Sequence, residues 1–175
     1  MNAQQTKQKG FTIIEVVLVL AIAGLIFLMV FIALPALQRN QRDTSRKNDL
    51  SRATTALTSW QSNNRGAIPT LTPTNNFGTQ TAAGAVSPST SLVARYLKSG
   101  GDEFADPSGK PYTFVISPAT LPTQADASDN AQTVARIFVS TGSVCNGESL
   151  TTGQGARKVA FRMVLEGGGI LCQSN

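Results

Sequence analysis

Histidine is absent from this chain of 175 residues, and cysteine occurs only twice, at Cys145 and Cys172. Without histidine, a Ser-His-Asp or Cys-His catalytic arrangement is impossible. Two thiols supply only half of the four ligands that a structural zinc site needs. The sequence also lacks a P-loop, a dinucleotide-binding glycine fingerprint and a His-Glu-x-x-His element. We therefore predict no catalytic residue, no cofactor and no metal ligand.

Charge is sparse as well, since Asp, Glu, Lys and Arg make up only 14% of the chain. The formal net charge is +5, and removal of residues 1–10 would take away Lys7 and Lys9. This bias is too weak to indicate a nucleic-acid partner. A composition rich in Ser, Thr, Ala, Gly and Asn is more typical of a module displayed outside the cell than of a cytosolic enzyme.

The acidic residues form two small groups, neither of which has the spacing of a recognised calcium loop. We therefore favour the absence of a calcium site, with a site built from loop oxygens as the alternative. The groups are Asp102, Glu103 and Asp106, and Asp126 with Asp129.

A long uncharged run extends from Val16 to Leu37. As a helix, these 22 residues would measure about 33 Å, enough to cross a hydrocarbon layer of about 30 Å. A cleaved secretory signal would have a shorter apolar core and a small-x-small cleavage site. Leu34 and Pro35 stand where small residues would be required. The sequence thus predicts a retained membrane-spanning helix.

The residues just before this run are Lys-Gly-Phe-Thr-Ile-Ile-Glu, at positions 9–15. This segment, running into an apolar helix, resembles the processing site of type IV prepilins. The resemblance implies that a membrane-embedded prepilin peptidase cuts between Gly10 and Phe11 and methylates the new amine of Phe11. It also implies that Glu15 neutralises the terminal ammonium of a neighbouring subunit and so sets the register of assembly.

Glu15 has a simpler interpretation too. Thr12 and Glu15 have the spacing of a capping box, and an acid in the first turn complements the helix dipole. An ordinary signal anchor, however, has no use for a carboxylate at the edge of its apolar run, because an unpaired charge in lipid is costly. Both the processed prepilin and the unprocessed anchor remain open at this point.

By the same resemblance, we expect an α+β pilin fold, in which a long N-terminal helix packs on a small antiparallel β-sheet head. The predicted parts are a leader (1–10), a transmembrane and filament-core half-helix (11–37), an amphipathic half-helix (38–60), and a head (61–175) with a long loop (61–91).

Gly24 and Pro35 interrupt the apolar helix, since glycine lowers helix propensity and proline removes a backbone donor. Pilins often have such residues where the helix stretches on assembly. A simple kink at the membrane surface is the alternative.

The second half of the helix carries an apolar stripe of Leu50, Ala53, Leu57 and Trp60, with steps of three and four, which predicts packing on the head. Asp43 and Lys47 have the spacing of an i,i+4 ion pair.

Basic residues follow the apolar run, and a positive-inside count favours the orientation opposite to the one that the prepilin resemblance implies. We expect them to form a solvated helix face, with lipid phosphates or an intersubunit seam as the alternative contacts. They are Arg39, Arg42, Arg46, Lys47 and Arg52.

In the head, Asp106-Pro-Ser-Gly-Lys-Pro-Tyr112 predicts a type I turn and resembles a turn found in pseudopilins and some pilins. A short helix is predicted at 91–98. An extracellular location would favour a disulfide between Cys145 and Cys172, and two free buried thiols are the alternative. Strands are predicted at 112–117, 134–140, 159–165 and 170–172.

Together these features predict a type IV pilin, stored in the cytoplasmic membrane as a single-pass precursor with its N-terminus inside, then assembled as a homo-oligomeric extracellular filament. The resemblance implies an assembly platform and ATPase as partners, membrane lipid before assembly, and roles in adhesion, twitching motility or DNA uptake through contacts of the head with host surfaces or DNA. The rivals are a type II secretion pseudopilin and a signal-anchored binding module that does not polymerise.

Overall fold

A computed structural model describes residues 10–71, 77–80, 86–87, 89–98, 103–118, 120–128 and 132–175. The chain divides into two units, Met1–Gln38 and Arg39–Asn175.

A single α-helix, α1 (Ile13–Asn63), contributes residues to both units. It confirms the long helix predicted from the sequence and extends three residues beyond the predicted end. The helix ends where Arg65 and Gly66 take positive φ angles of 56° and 81°, and the Gly66 amide donates to the Gln61 carbonyl at 2.7 Å. Glycine favours this left-handed conformation, which satisfies carbonyls of the last turn.

Among its described residues, the head contains a six-stranded sheet in the order β2-β1-β3-β4-β7-β8 and a separate β5–β6 hairpin. With α1, this confirms the α+β class. The strands are β1 (Thr79–Gln80), β2 (Val86–Ser87), β3 (Tyr112–Ile116), β4 (Ala135–Thr141), β5 (Ser143–Asn146), β6 (Ser149–Thr152), β7 (Val159–Val164) and β8 (Ile170–Ser174).

The sheet departs from the expected antiparallel pattern at one pair of neighbours, because β3 and β4 run parallel. Parallel neighbours need a long crossover connection. Residues 117–134 provide it, and they include a short 3₁₀ helix at Gln124–Asp126.

The core lies between the second half of α1 and one face of the sheet. Leu50, Ala53 and Leu57 are fully buried, and Trp60 packs against the same cluster. The predicted apolar stripe is therefore confirmed. Its burial supplies the main free energy that holds this half of the helix on the head.

The stretch predicted as a long loop, residues 61–91, contains more structure than its composition indicates. It includes β1 and β2, and Phe77 is fully buried. The Phe77 ring centroid lies 5.4 Å from that of Phe114 and 6.0 Å from that of Phe161. Phe77, together with the partly buried Ile68 and Leu71, thus anchors this stretch against the core.

Strand β7 is buried along its whole length. Val159, Phe161 and Met163 belong to the core that faces α1. Because side chains alternate along a strand, Arg162 lies on the opposite face. The β5–β6 hairpin, which contacts β7 and β8, covers that face.

Candidate functional site

The predicted processing site lies at the start of α1. Gly10 and Phe11 precede the helix, and Phe11 is 90% exposed. The Thr12 amide and hydroxyl donate to Glu15 Oε2 at 2.8 and 2.7 Å, and the Glu15 amide donates to Thr12 Oγ1 at 3.4 Å. These reciprocal bonds form a capping box.

In the isolated chain, then, Glu15 stabilises the first turn of its own helix. Pairing of Glu15 with the amine of a neighbouring subunit remains a prediction. Cleavage after Gly10 and methylation of Phe11 remain predictions as well.

The helix beyond the cap presents its large apolar side chains outward. None of the 18 residues in its most apolar window is buried, and the helix is long and apolar enough to cross a membrane. Exposed apolar surface of this extent is typical of a membrane or protein contact. The large exposed side chains include Phe11, Ile13, Ile14, Val17, Leu20, Leu25, Phe27, Met29, Phe31, Ile32 and Leu37.

Gly24 and Pro35 both lie inside α1, which continues through them without a break. Nothing approaches the position of a Cβ atom on Gly24 within 4 Å. The helix is continuous at both positions in the isolated chain, and the interruption and its melting on assembly remain predictions.

Residues 5–31 match the family model of the prokaryotic N-terminal methylation motif, which is the prepilin signal of type IV pilins and pseudopilins. The chain carries a prepilin signal. The match covers the capping box and most of the apolar run, and it indicates a structural subunit rather than an enzyme. It also supports a membrane-anchored precursor that a prepilin peptidase processes. A search of curated proteins and a search of solved structures found no match to the chain.

A second cluster, which the sequence did not predict, holds the amphipathic half of α1 to the head. Arg46 makes a two-pronged ion pair with Asp106, with Nε to Oδ1 at 2.6 Å and Nη2 to Oδ2 at 3.1 Å. Its Nη2 also donates to Glu166 at 2.9 Å. Arg42 binds the other side of Glu166 at 2.8 Å. Two of the basic residues that were expected on a solvated helix face, Arg42 and Arg46, therefore form ion pairs with the head instead.

Asp43 also belongs to this cluster, and its contacts differ from the predicted ion pair with Lys47. It lies 3.4 Å from Arg46 and accepts the amides of Glu166 and Gly167, each at 2.8 Å, whereas the spacing had predicted a pair with Lys47. The two amides belong to the turn between β7 and β8. This turn offers Asp43 better-placed donors than a flexible lysine on the same helix.

Burial and hydrogen bonding shift the pKa values of the carboxylates in and beside this cluster in opposite directions. Burial raises the pKa of Asp106, but hydrogen bonds from Arg46 and Ser108 outweigh it and hold that pKa below its ordinary value. The pKa of Asp49 is raised by burial, which the hydroxyl of Tyr112, donating at 3.0 Å, only partly offsets. The pKa of Tyr112 rises because of burial and the nearby Asp49 charge.

The predicted turn before β3 is confirmed, since the Gly109 amide donates to the Asp106 carbonyl at 2.7 Å. Its first residue, Asp106, therefore serves both the turn and the ion cluster.

Within the described residues, no group of acids, cysteines or histidines could hold a metal ion. Asp106 is engaged by Arg46, and Asp126 accepts the amide and hydroxyl of Thr123. Asp102 and Asp129, from the two predicted acidic groups, lie outside the described residues.

The structure joins Cys145 of β5 to Cys172 of β8 in a disulfide, 27 residues apart in sequence. The bond ties the hairpin to the edge of the sheet, on the face opposite α1.

Proposed function

We propose that this chain is a subunit of a type IV pilus-like filament. Residues 1–10 form the leader, cleavage after Gly10 frees Phe11, and residues 11–37 pack against copies of themselves. Residues 38–60 and 61–175 form the part displayed outside the cell. The roles implied by the resemblance are adhesion, twitching motility or DNA uptake.

One observation carries this proposal: an exposed apolar half-helix begins with a carboxylate at the matched prepilin signal. A lipid anchor explains the apolar surface and the capping box explains Glu15, but neither explains why Gly10 and Phe11 stand immediately before them in the matched signal. Cleavage would place a new ammonium at Phe11, near Glu15. In a dry helix bundle, the two charges are tolerated when paired between copies.

The basic residues after the apolar run still oppose an N-terminus inside, because the positive-inside rule counts Lys and Arg near the end of a span and acidic neighbours contribute little to it. Arg42 and Arg46 pair with Glu166 and Asp106 in the folded head, but this pairing does not change the count. The proposed orientation rests on the matched prepilin signal.

Replacement of Glu15 by glutamine separates its two roles. Glutamine preserves the capping box, because it accepts the Thr12 hydrogen bonds, but it carries no charge. We expect Glu15→Gln to abolish filaments or reduce their yield at least tenfold, while the precursor accumulates in the membrane. The measurement is the amount of sheared filament per cell, with precursor quantified by immunoblot.

Glu103→Gln is the matched control, because it removes an exposed carboxylate from the head and should leave filament yield unchanged. Normal filament yield in Glu15→Gln would contradict the proposal, since Glu15 would then be only a helix cap. A chain that is never polymeric, with or without Glu15, would instead support the non-polymerising anchor.

The confirmed Asp106–Gly109 turn favours a second candidate, a type II secretion pseudopilin, because the Asp-Pro-x-Gly-x-Pro-Tyr sequence resembles the turn of that group. Deletion of the gene distinguishes the two. Loss of long surface filaments with normal protein secretion supports the pilus subunit, whereas loss of secretion with no change in surface filaments supports the pseudopilin.

A further inference from the structure

Arg162 is a buried cation on the face of the sheet opposite α1. The residue is only 2% exposed. Its Nε donates to the Ser117 hydroxyl at 3.1 Å, and its Nη2 donates to that hydroxyl and to the carbonyls of Pro118 and Thr120 at 2.8 and 3.4 Å. Its Nη1 donates to no described residue. The Nη1 group of the guanidinium can therefore still donate hydrogen bonds to a ligand.

The charge of Arg162 has no acidic counterpart in the described parts of the chain. The three oxygens that it contacts belong to a hydroxyl and two carbonyls, all of them neutral. Burial lowers the pKa of Arg162, which shows that its surroundings disfavour the cation. A buried charge is stabilised most effectively by a paired ion of opposite sign.

A cavity of about 350 Å³ adjoins this side chain. It lies beside β4, β6 and β7 and is large enough for a ligand of monosaccharide size. Both hydroxyl-bearing and apolar residues line it, and Arg162 is the one charged residue among those lining residues. Its lining includes Arg162 with Ser117, Ser140, Ser149, Thr152, Leu121 and Leu150.

We propose that this cavity binds a small hydroxylated carboxylate, such as a uronic acid or a hydroxy acid, with the carboxylate on Arg162. Through Nη1, Arg162 can donate two charge-assisted hydrogen bonds to a carboxylate. The serine and threonine hydroxyls both donate and accept, as sugar hydroxyls require. One cation balances one carboxylate, whereas a phosphate dianion would bring an unbalanced charge into the cavity. The proposal does not depend on filament assembly, so that either proposal can fail alone.

The test is thermal unfolding of the full chain in non-ionic detergent, with glucuronate added at constant ionic strength. We expect a saturable rise of the midpoint by about 3 to 5 °C at ten times Kd. Glucose, the neutral analogue, should give no rise, and phosphate should give a smaller one. Arg162→Gln should remove the glucuronate response, while Arg95→Gln, which removes an exposed arginine, should retain it.

Arg162→Gln could also unfold the head, because it removes the bonds to residues 117–120. Ser149→Val addresses this, since Ser149 lines the cavity but makes no bond to Arg162. This variant should keep the ligand-free midpoint and require at least five times more glucuronate for the same shift.

Three results would overturn the proposal. No glucuronate response in the natural chain would leave Arg162 as a support for residues 117–120. An undiminished response in Arg162→Gln or in Ser149→Val would place binding elsewhere. Equal responses to phosphate and glucuronate would indicate general anion binding without preference for a carboxylate.

Discussion

At the scale of single residues, side chains that a local motif positions could be predicted, while those that the fold brings together could not. Gly10, Phe11 and Glu15 lie close together in sequence within the matched signal, and the capping box of Glu15 follows from its spacing to Thr12, while cleavage, methylation and subunit pairing remain predictions. Arg46 meets Asp106 and Glu166 across 60 and 120 residues. No spacing along the chain reveals that contact. The turn and the acidic group that include Asp106 draw attention to this residue but not to its partners.

Asp106→Asn should destabilise the head by about 3 kcal/mol at neutral pH, because it leaves the half-buried Arg46 without its main partner. The pKa of Asp106 is lowered in the folded chain, so its stabilisation is present above the unfolded pKa of about 3.9. It is lost as the pH falls through the lower folded pKa. Urea unfolding at a series of pH values measures this difference.

Glu103→Gln serves as the control for this experiment, because it removes an exposed carboxylate near Asp106. It should leave the unfolding curve close to that of the natural chain. The free energies of unfolding of Asp106→Asn and the natural chain should converge as the pH falls. If their difference stays constant from pH 7 to pH 2, the ion pair is not the source of the difference.

At the scale of elements, strands with apolar residues could be predicted, and the polar hairpin could not. The predicted strands at 112–117, 134–140 and 159–165 correspond to β3, β4 and β7, and the one predicted at 170–172 continues to Ser174 as β8. Strands β5 and β6 consist largely of serine, threonine and asparagine. Their one sequence signal is Gly147, which stands first in the two-residue loop Gly147-Glu148 and has a φ of 61°, as a type II′ hairpin turn requires. The parallel β3–β4 pair depends on the path of residues 117–134, which local patterns do not specify.

The disulfide should stabilise the hairpin against the sheet. Reduction of the bond between Cys145 and Cys172 should lower the free energy of unfolding by roughly 3–4 kcal/mol, because it frees a loop whose ends are 27 residues apart. Urea unfolding with and without reductant measures the change. A double variant, Cys145→Ser with Cys172→Ser, should start at the lower stability and not respond to reductant. Equal stability of the oxidised and reduced chains would contradict the prediction.

Pro35 should weaken α1 locally even though the helix continues through it. Pro35→Ala supplies a donor for the Phe31 carbonyl and removes the ring clash, a gain of about 3 kcal/mol in helix stability. We expect slower hydrogen exchange over residues 31–36 in detergent. Leu34→Ala, which adds no backbone donor, is the control. Slow exchange in this turn of the natural chain would argue against melting on assembly.

At the scale of the whole molecule, the two units differ in how far their apolar side chains are exposed. The apolar half of α1 in the first unit exposes nearly all its large side chains, whereas the second unit buries its apolar stripe beneath a sheet. Exposed apolar surface of this extent needs a lipid or protein environment, whereas the apolar side chains of the second unit already lie in a core. This difference agrees with the proposed function, in which the chain is stored in the membrane and then assembled into a polymer.

Mass spectrometry of the N-terminus, on protein isolated from the cells that produce it, tests this account most directly. The account predicts a mature chain that begins at Phe11 with a methylated amine, in the filament fraction. A chain that still begins at Met1, found only in the membrane, would contradict it.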